Sequence, residues 1–295
     1  MPGNPYEGRQ YGYCGGGYGY CGTPASGAAL LLDNLPQFRI AVATKKLRTA
    51  YSGDCFQVRE SGGSTTDNFG FVNGEVDSAS YDTFCGANSG YLAAWRDQSG
   101  SGNDIAQATT TVQPRVVGSG TVDVNGSGQV GVFGASESGS AWYIDSGALT
   151  YTRPYHRFCV VTFNSDLNSF LWDGQQNNRG NLDANYSAPD YRVRAYDGAG
   201  LYANVSTGTR VGVKAIIEVL YNGASSRVRV NDNAAVTGNL GTGTMPSKVR
   251  LMNAGATTTF GFLGWYHAFL DFDGELTTEQ VTAVREGLNA LYGVY

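Results

Sequence analysis

Residues 91–104 read YLAAWRDQSGSGND. The first five are apolar or aromatic and suit a buried strand, and the next nine cannot continue it. Glycines at 100 and 102 permit tight turns, while Asp97, Asn103 and Asp104 can bond to neighbouring backbone amides. A strand that runs into such a loop belongs to a β-rich domain. Asp97, Asn103 and Asp104 are expected to brace that domain rather than to touch a ligand.

The composition agrees. Forty-two glycines and 19 tyrosines against three methionines favour turns and strands over helices. Apolar residues make up 41% of 295, enough for a sizeable core, whereas charged residues are only 15%. A net charge of −5 with no run of Lys or Arg argues against nucleic acid as a partner. The longest apolar run, Ala28–Leu32, is far short of the roughly 20 residues of a membrane-spanning helix, so no membrane insertion is expected. The opening MPGNPYEGRQ lacks the layout of a signal peptide, so either the mature chain starts here or export does not use that route. Five cysteines cannot all pair within one chain, and Cys159, in HRFCVVTF, reads as a small core residue.

Residues 1–27 form a Gly/Tyr/Cys-rich segment, and 28–295 read as one sandwich domain. The segment contains YGYCGGGYGYCG (11–22), which cannot build a core. It is expected to be an extended arm anchored through Tyr11, Tyr13, Cys14, Tyr18, Tyr20 and Cys21. Leu35, Phe38, Val42 and Leu47 are spaced for one face of a helix. CFQVRE (55–60) alternates as a strand, and 76–86 reads as a short helix capped by Asp77 or Ser78 and ended by Gly86. In VKAIIEVLYNGASSRVRVN (213–231) a hairpin would set Glu218 opposite Arg229. A last strand, WYHAFLDF (265–272), precedes a C-terminal helix. Thr277 with Gln280 forms a capping box, Val281, Val284, Leu288 and Leu291 form the stripe, and Gly293 is the stop.

Two stretches carry a resemblance. Residues 46–116, through Asp97-Gln98-Ser99-Gly100-Ser101-Gly102-Asn103-Asp104 and then Gln107-Ala108 and Gln113-Pro114, resemble the opening of concanavalin A-like (laminin-G-like) domains. Such domains occur in arabinofuranosidase B-type catalytic domains and in bacteriophage virion proteins. The C-terminal FLGWYHAFLDFDGELTTEQVTAVREGLNALYGVY is similar to the close of the phage versions. The resemblance implies an all-β, two-sheet antiparallel jelly-roll sandwich with short peripheral helices and a C-terminal helix. With the arm, it favours a non-enzymatic bacteriophage virion protein: a head decoration, a fibre or a tail-associated adhesin. The implied partners are other virion proteins, a second copy of the chain and, as a candidate ligand, a host-surface polysaccharide. The implied location is the virion, assembled in the host cytoplasm. The alternatives are an arabinofuranosidase-type glycoside hydrolase and a plain carbohydrate-binding module.

Fold alone does not assign activity. Glycoside hydrolysis needs two carboxyl groups in one site. The candidates are Asp97, Asp173, Glu218, Asp271 and Asp273, and none is assigned a catalytic role. Glu218 shares its face with Ile216 and Leu220, which would raise its pKa, unless Arg229 simply pairs with it. Trp172, Asp173, Tyr191 and Tyr196 are the candidate glycan-binding set, with Trp172 as a stacking platform and Asp173 as a hydroxyl acceptor. The competing reading of Trp172-Asp173-Gly174 is a strand end and turn. His156 and His267 lie in aromatic strands without metal-ligand spacing and read as packed residues. No cofactor or metal is expected.

Overall fold

The computed structural model describes residues 29–35, 38–63, 65–137, 140–166, 169–174, 180–187, 190–243, 245–254 and 261–295. The proposed arm, with Tyr11, Tyr13, Cys14, Tyr18, Tyr20 and Cys21, lies outside them. The described chain forms an antiparallel two-sheet sandwich with two α-helices.

The first sheet runs in the order Phe38–Ala43, Gly264–Asp273, Tyr155–Phe163, Lys214–Tyr221, Ser226–Val230, Val236–Gly238. The second starts with Thr66–Phe69, Phe56–Glu60, Gly90–Trp95, Ile105–Ala106 and Ile144–Ser146. It continues through Arg250–Leu251, Ser169–Asp173, Asn181–Ser187, Asp190–Tyr196 and Gly200–Thr207. Along one side the layers are joined. The start of Gly264–Asp273 pairs with Val132–Gly134, which leads through Arg115–Val117 to Gly90–Trp95.

Two cores explain the sequence pattern. Between the sheets lie Ile40, Val42, Phe56, Trp95, Cys159, Trp172, Leu182, Ile217 and Phe269. On the other face of the first sheet, Phe158, Val160, Ile216, Leu270 and Phe272 meet Val281, Val284, Leu288 and Tyr292 of α2 (Thr278–Tyr292). Successive residues of a strand point to opposite faces, so a strand between two cores is buried throughout and mostly apolar. Tyr155–Phe163 is accordingly buried at every position.

The same cause overturns the helix expected across Leu35, Phe38, Val42 and Leu47. Phe38–Ala43 is a strand, and all six of its residues are buried. Phe38 and Ala41 face the α2 core while Ile40 and Val42 face the other. The helical spacing was incidental to burial on both sides. Elsewhere the expectations hold. Glu218 stands opposite Arg229, and α1 (Ser78–Cys85) is capped by Asp77, which accepts from the Ser80 amide. α2 carries the Thr277–Gln280 capping box and ends at a left-handed Gly293.

The loop after Gly90–Trp95 is built around one carboxylate. Asp97 Oδ1 accepts from the Ala41 amide (2.8 Å) and the Ser99 amide (2.9 Å). Its Oδ2 accepts from Ser99 Oγ (2.6 Å) and the Asn103 amide (3.1 Å). Asp104 accepts from the Asp97 amide, and Asn103 Nδ2 donates to the Arg39 carbonyl (both 2.8 Å). Positive φ angles at Gly100 (88°) and Gly102 (72°) let the chain fold back around Asp97. Asp97→Ala would strand three buried or half-buried amides. The expected cost is about 2–4 kcal/mol in urea unfolding. A loss too small to measure would mean that the loop does not hold the layers together.

Candidate functional site

On the outward face of the second sheet, charged and aromatic side chains line up across neighbouring strands. Ile144, Leu251, Leu182, Val193 and Ala203 fill the core between the sheets. Strand alternation therefore turns Asp145, Arg250, Asp183, Arg194 and Tyr202 outward. Asp145, Arg250 and Asp173 stand in register on three adjacent strands. Arg250 grips Asp145 with two hydrogen bonds, Nε to Oδ1 at 2.7 Å and Nη2 to Oδ2 at 2.8 Å. Its guanidinium lies 3.6 Å from the centre of the Tyr143 ring. Beside this row, Phe170, Asp183, Arg194 and Tyr202 form a second one. Arg194 Nε donates to both Asp183 oxygens at 3.1 Å. Burial nevertheless raises the Asp183 pKa, outweighing the pull of Arg194.

The four residues expected to bind a glycan do not form one site. Trp172 is wholly buried. Its Nε1 donates to the Gly180 carbonyl (3.1 Å) and to Tyr221 Oη (3.0 Å), and its ring packs edge-on to Phe269. It is a core residue and offers no platform to a ligand. Tyr191 shares the alternation of Val193 and Ala195 and turns toward the space between the sheets, near Arg210. Asp173 and Tyr196 do lie on the outward face, Asp173 beside Arg250 and Tyr196 under the Arg194 guanidinium. Asp145, Asp183, Arg250 and Arg194 were not singled out from the sequence, although the alternation in DYRVRAY could have marked Arg194.

The other candidate carboxylates are structural. Asp97 holds the loop. Asp271 is buried between Arg39 (3.0 Å), Arg157 (3.2 Å) and the Tyr151 hydroxyl (2.6 Å), while Arg39 also pairs with the exposed Asp273. Arg157 is fully buried, with the rings of Tyr151 and Tyr155 each 5.0 Å away.

Glu218 lies on the α2 side of the first sheet. There His156 Nε2 donates to it at 3.1 Å and Arg227 Nε at 2.8 Å. Arg229 is its cross-strand neighbour, but the contact is longer, 3.8 Å. Burial alone would raise the Glu218 pKa; the His156 hydrogen bond and the Arg227 guanidinium instead bring it down to about 2. The raised pKa expected from its apolar neighbours is therefore overturned. Burial lowers the His156 pKa, outweighing the pull of Glu218. Burial also lowers the His267 pKa to about 4. That ring donates from Nδ1 to the Val130 carbonyl (2.9 Å) and accepts at Nε2 from Thr162 Oγ1 (2.9 Å). Both histidines are packed residues. Among the described residues no group of three or more His, Cys, Asp or Glu could hold a metal ion, and no helix is long and apolar enough to cross a membrane.

The chain matches the family profile described as "Alpha-L-arabinofuranosidase B, catalytic" over residues 34–151, less than half its length. No curated protein matches it. Its fold is similar to a solved GH54 α-L-arabinofuranosidase soaked with a cyclic sulfate inhibitor, with TM-score 0.67 and 16% identity. An arabinofuranosidase complexed with arabinofuranosyl-α-1,2-xylobiose gives TM-score 0.68 and 16% identity. Each likeness covers 86% of this chain but only 62% of the other. At that identity the likeness establishes the fold. The profile match, with these neighbours, overturns the expectation of a non-enzymatic bacteriophage virion protein with a capsid, fibre or attachment role, and with it the virion location. Nothing in the comparisons links the chain to a phage.

Glu218 also yields a test of its structural role. A folded-state pKa near 2, below the ordinary 4.5, means that the folded protein binds fewer protons than the unfolded chain between those values. Its stabilisation is full above pH 4.5 and is lost as the pH falls toward 2. Glu218→Gln should cost about 3 kcal/mol in urea unfolding at pH 7, with the gap to wild type closing near pH 2. A gap that persists unchanged at low pH would contradict this account.

Proposed function

We propose that the chain is a carbohydrate-active domain of the arabinofuranosidase type, hydrolysing α-L-arabinofuranosidic bonds at the outward face of the second sheet. The observation that carries this reading is the match to a catalytic-domain profile, joined to carboxylates that share the outward face of one sheet. Hydrolysis of a glycosidic bond requires one carboxyl group to give up a proton and a second to act as a carboxylate. Asp183 is the proposed acid, because burial raises its pKa. Asp173, on the adjoining strand, is the proposed second carboxylate. Arg250 and Tyr143 supply a donor and a ring for positioning the sugar.

A second reading, glycan binding without turnover, is favoured by a specific observation. Asp145 accepts two hydrogen bonds from Arg250 and Asp183 three from Arg194, so arginines already occupy the oxygens that a catalytic acid would use. One assay separates the two. Wild type should release 4-nitrophenol from 4-nitrophenyl α-L-arabinofuranoside. Asp173→Asn and Asp183→Asn should each lower kcat/KM by about 100-fold or more, while Asp145→Asn should act mainly on KM. Binding of arabinose-bearing oligosaccharides with no release by wild type would establish the binding-only reading instead.

A further inference from the structure

Where the two sheets join, five residues stand in direct register on five successive strands: Arg59, Tyr91, Arg115, Phe133 and Trp265. The row spans four strand spacings, roughly 19 Å. Trp142 lies over it, edge-on to Tyr91 (5.9 Å) and Phe133 (6.5 Å), and Phe133 in turn packs on Trp265 at 5.2 Å. The guanidiniums interleave with the rings, Arg59 5.0 Å from the Tyr91 centre and Arg115 4.8 Å from that of Phe133. All six side chains are half-buried, so each keeps part of its surface in water.

We propose that this row is a binding surface for the main chain of a neutral polysaccharide, next to the site described above. Aromatic rings offer the apolar faces of sugars large contact area at little entropic cost, and fixed arginines offer donors to their hydroxyls. The arginines are already fixed: Arg115 Nε and Nη2 bond Asp123 at 2.8 Å, and Arg59 Nε bonds Gln113 Oε1 at 2.7 Å. With Asp123 matching Arg115, the row is a set of rings and oriented donors rather than a cluster of positive charge, which disfavours a polyanion. It is also continuous with the outward face. Gln113 Nε2 donates to the Gln107 carbonyl, and Gln107 Nε2 reaches the Tyr143 carbonyl, beside Arg250.

The proposal rests on the chain being glycan-active, and its test reads binding and turnover separately. The chain has four tryptophans. Trp95 and Trp172 are fully buried, so a ligand-induced fluorescence change reports on Trp142 and Trp265. An arabinoxylan-derived oligosaccharide should change the emission saturably and shield it from iodide. Trp142→Ala and Trp265→Ala should each weaken binding by about tenfold. They should leave the unfolding midpoint near wild type and turnover of the small chromogenic arabinoside unchanged, while Trp142→Phe should retain most of the affinity. Binding that depends on these residues without turnover supports the row and removes the hydrolase reading. Turnover with oligosaccharide binding indifferent to both substitutions overturns the row alone, and neither binding nor turnover overturns both. Stronger, salt-sensitive binding of a polyuronate would overturn the neutral-glycan assignment. Self-association abolished by the same substitutions would make the row a protein interface and overturn it too.

Discussion

The carboxylate of Asp97 ties the two layers of the sandwich together. It follows a strand of the second sheet and binds the backbone of Ala41 in the edge strand of the first. Its neighbour Gln98 extends the tie: its amide donates to the Ala41 carbonyl, its Oε1 accepts from the Leu47 amide, and its Nε2 donates to the Lys45 carbonyl. An edge strand exposes a row of unpaired backbone groups. Here a loop, rather than another strand, satisfies part of that row. Ionised Asp accepts without competing donors, and its two oxygens reach four partners at once. The strand that feeds the loop also carries Tyr91, so the clamp that closes the layers sets the outer row as well.

Local physics was legible where it was decided locally. Helix caps at Asp77 and Thr277 depend on side chains reaching amides within the next turn, and those can be read from adjacent residues. The hairpin register that places Glu218 against Arg229 is set by a short turn and alternation. Phe38–Ala43 was misread because burial on both faces erases alternation and leaves spacing to chance. For Trp172 the sequence left a stacking platform open beside a strand end and turn; the strand does end at Asp173, and the irregularity between Phe170 and Trp172 sends the ring inward. Asp145 and Asp183 escaped notice for another reason. Asp145 acquires its meaning from Arg250, more than a hundred residues along the chain, through an antiparallel pair that no local pattern announces.

Two settings for carboxylates emerge, and under the proposed function they separate structure from chemistry. Asp97, Glu218 and Asp271 lie inside the fold, and each is bonded to groups drawn from distant parts of the chain. Converting any of them to an acid catalyst would require breaking those bonds without a substrate within reach. Asp145, Asp173 and Asp183 lie instead on the outward face of the second sheet, where Arg250 and Arg194 are their neighbours, although Asp173 and Asp183 are only 3% and 6% exposed. An arginine beside a carboxylate lowers its pKa, burial raises it, and for Asp183 burial prevails. A sugar hydroxyl that took over a donor from Arg194 would further weaken the hold on the proton-free form. Under the proposed function, a sugar contact at Arg194 would couple substrate binding to readiness to protonate at Asp183, because that guanidinium is its counter-ion. A binding module gains nothing from that coupling, whereas a hydrolase gains an acid that is poised only when the site is filled.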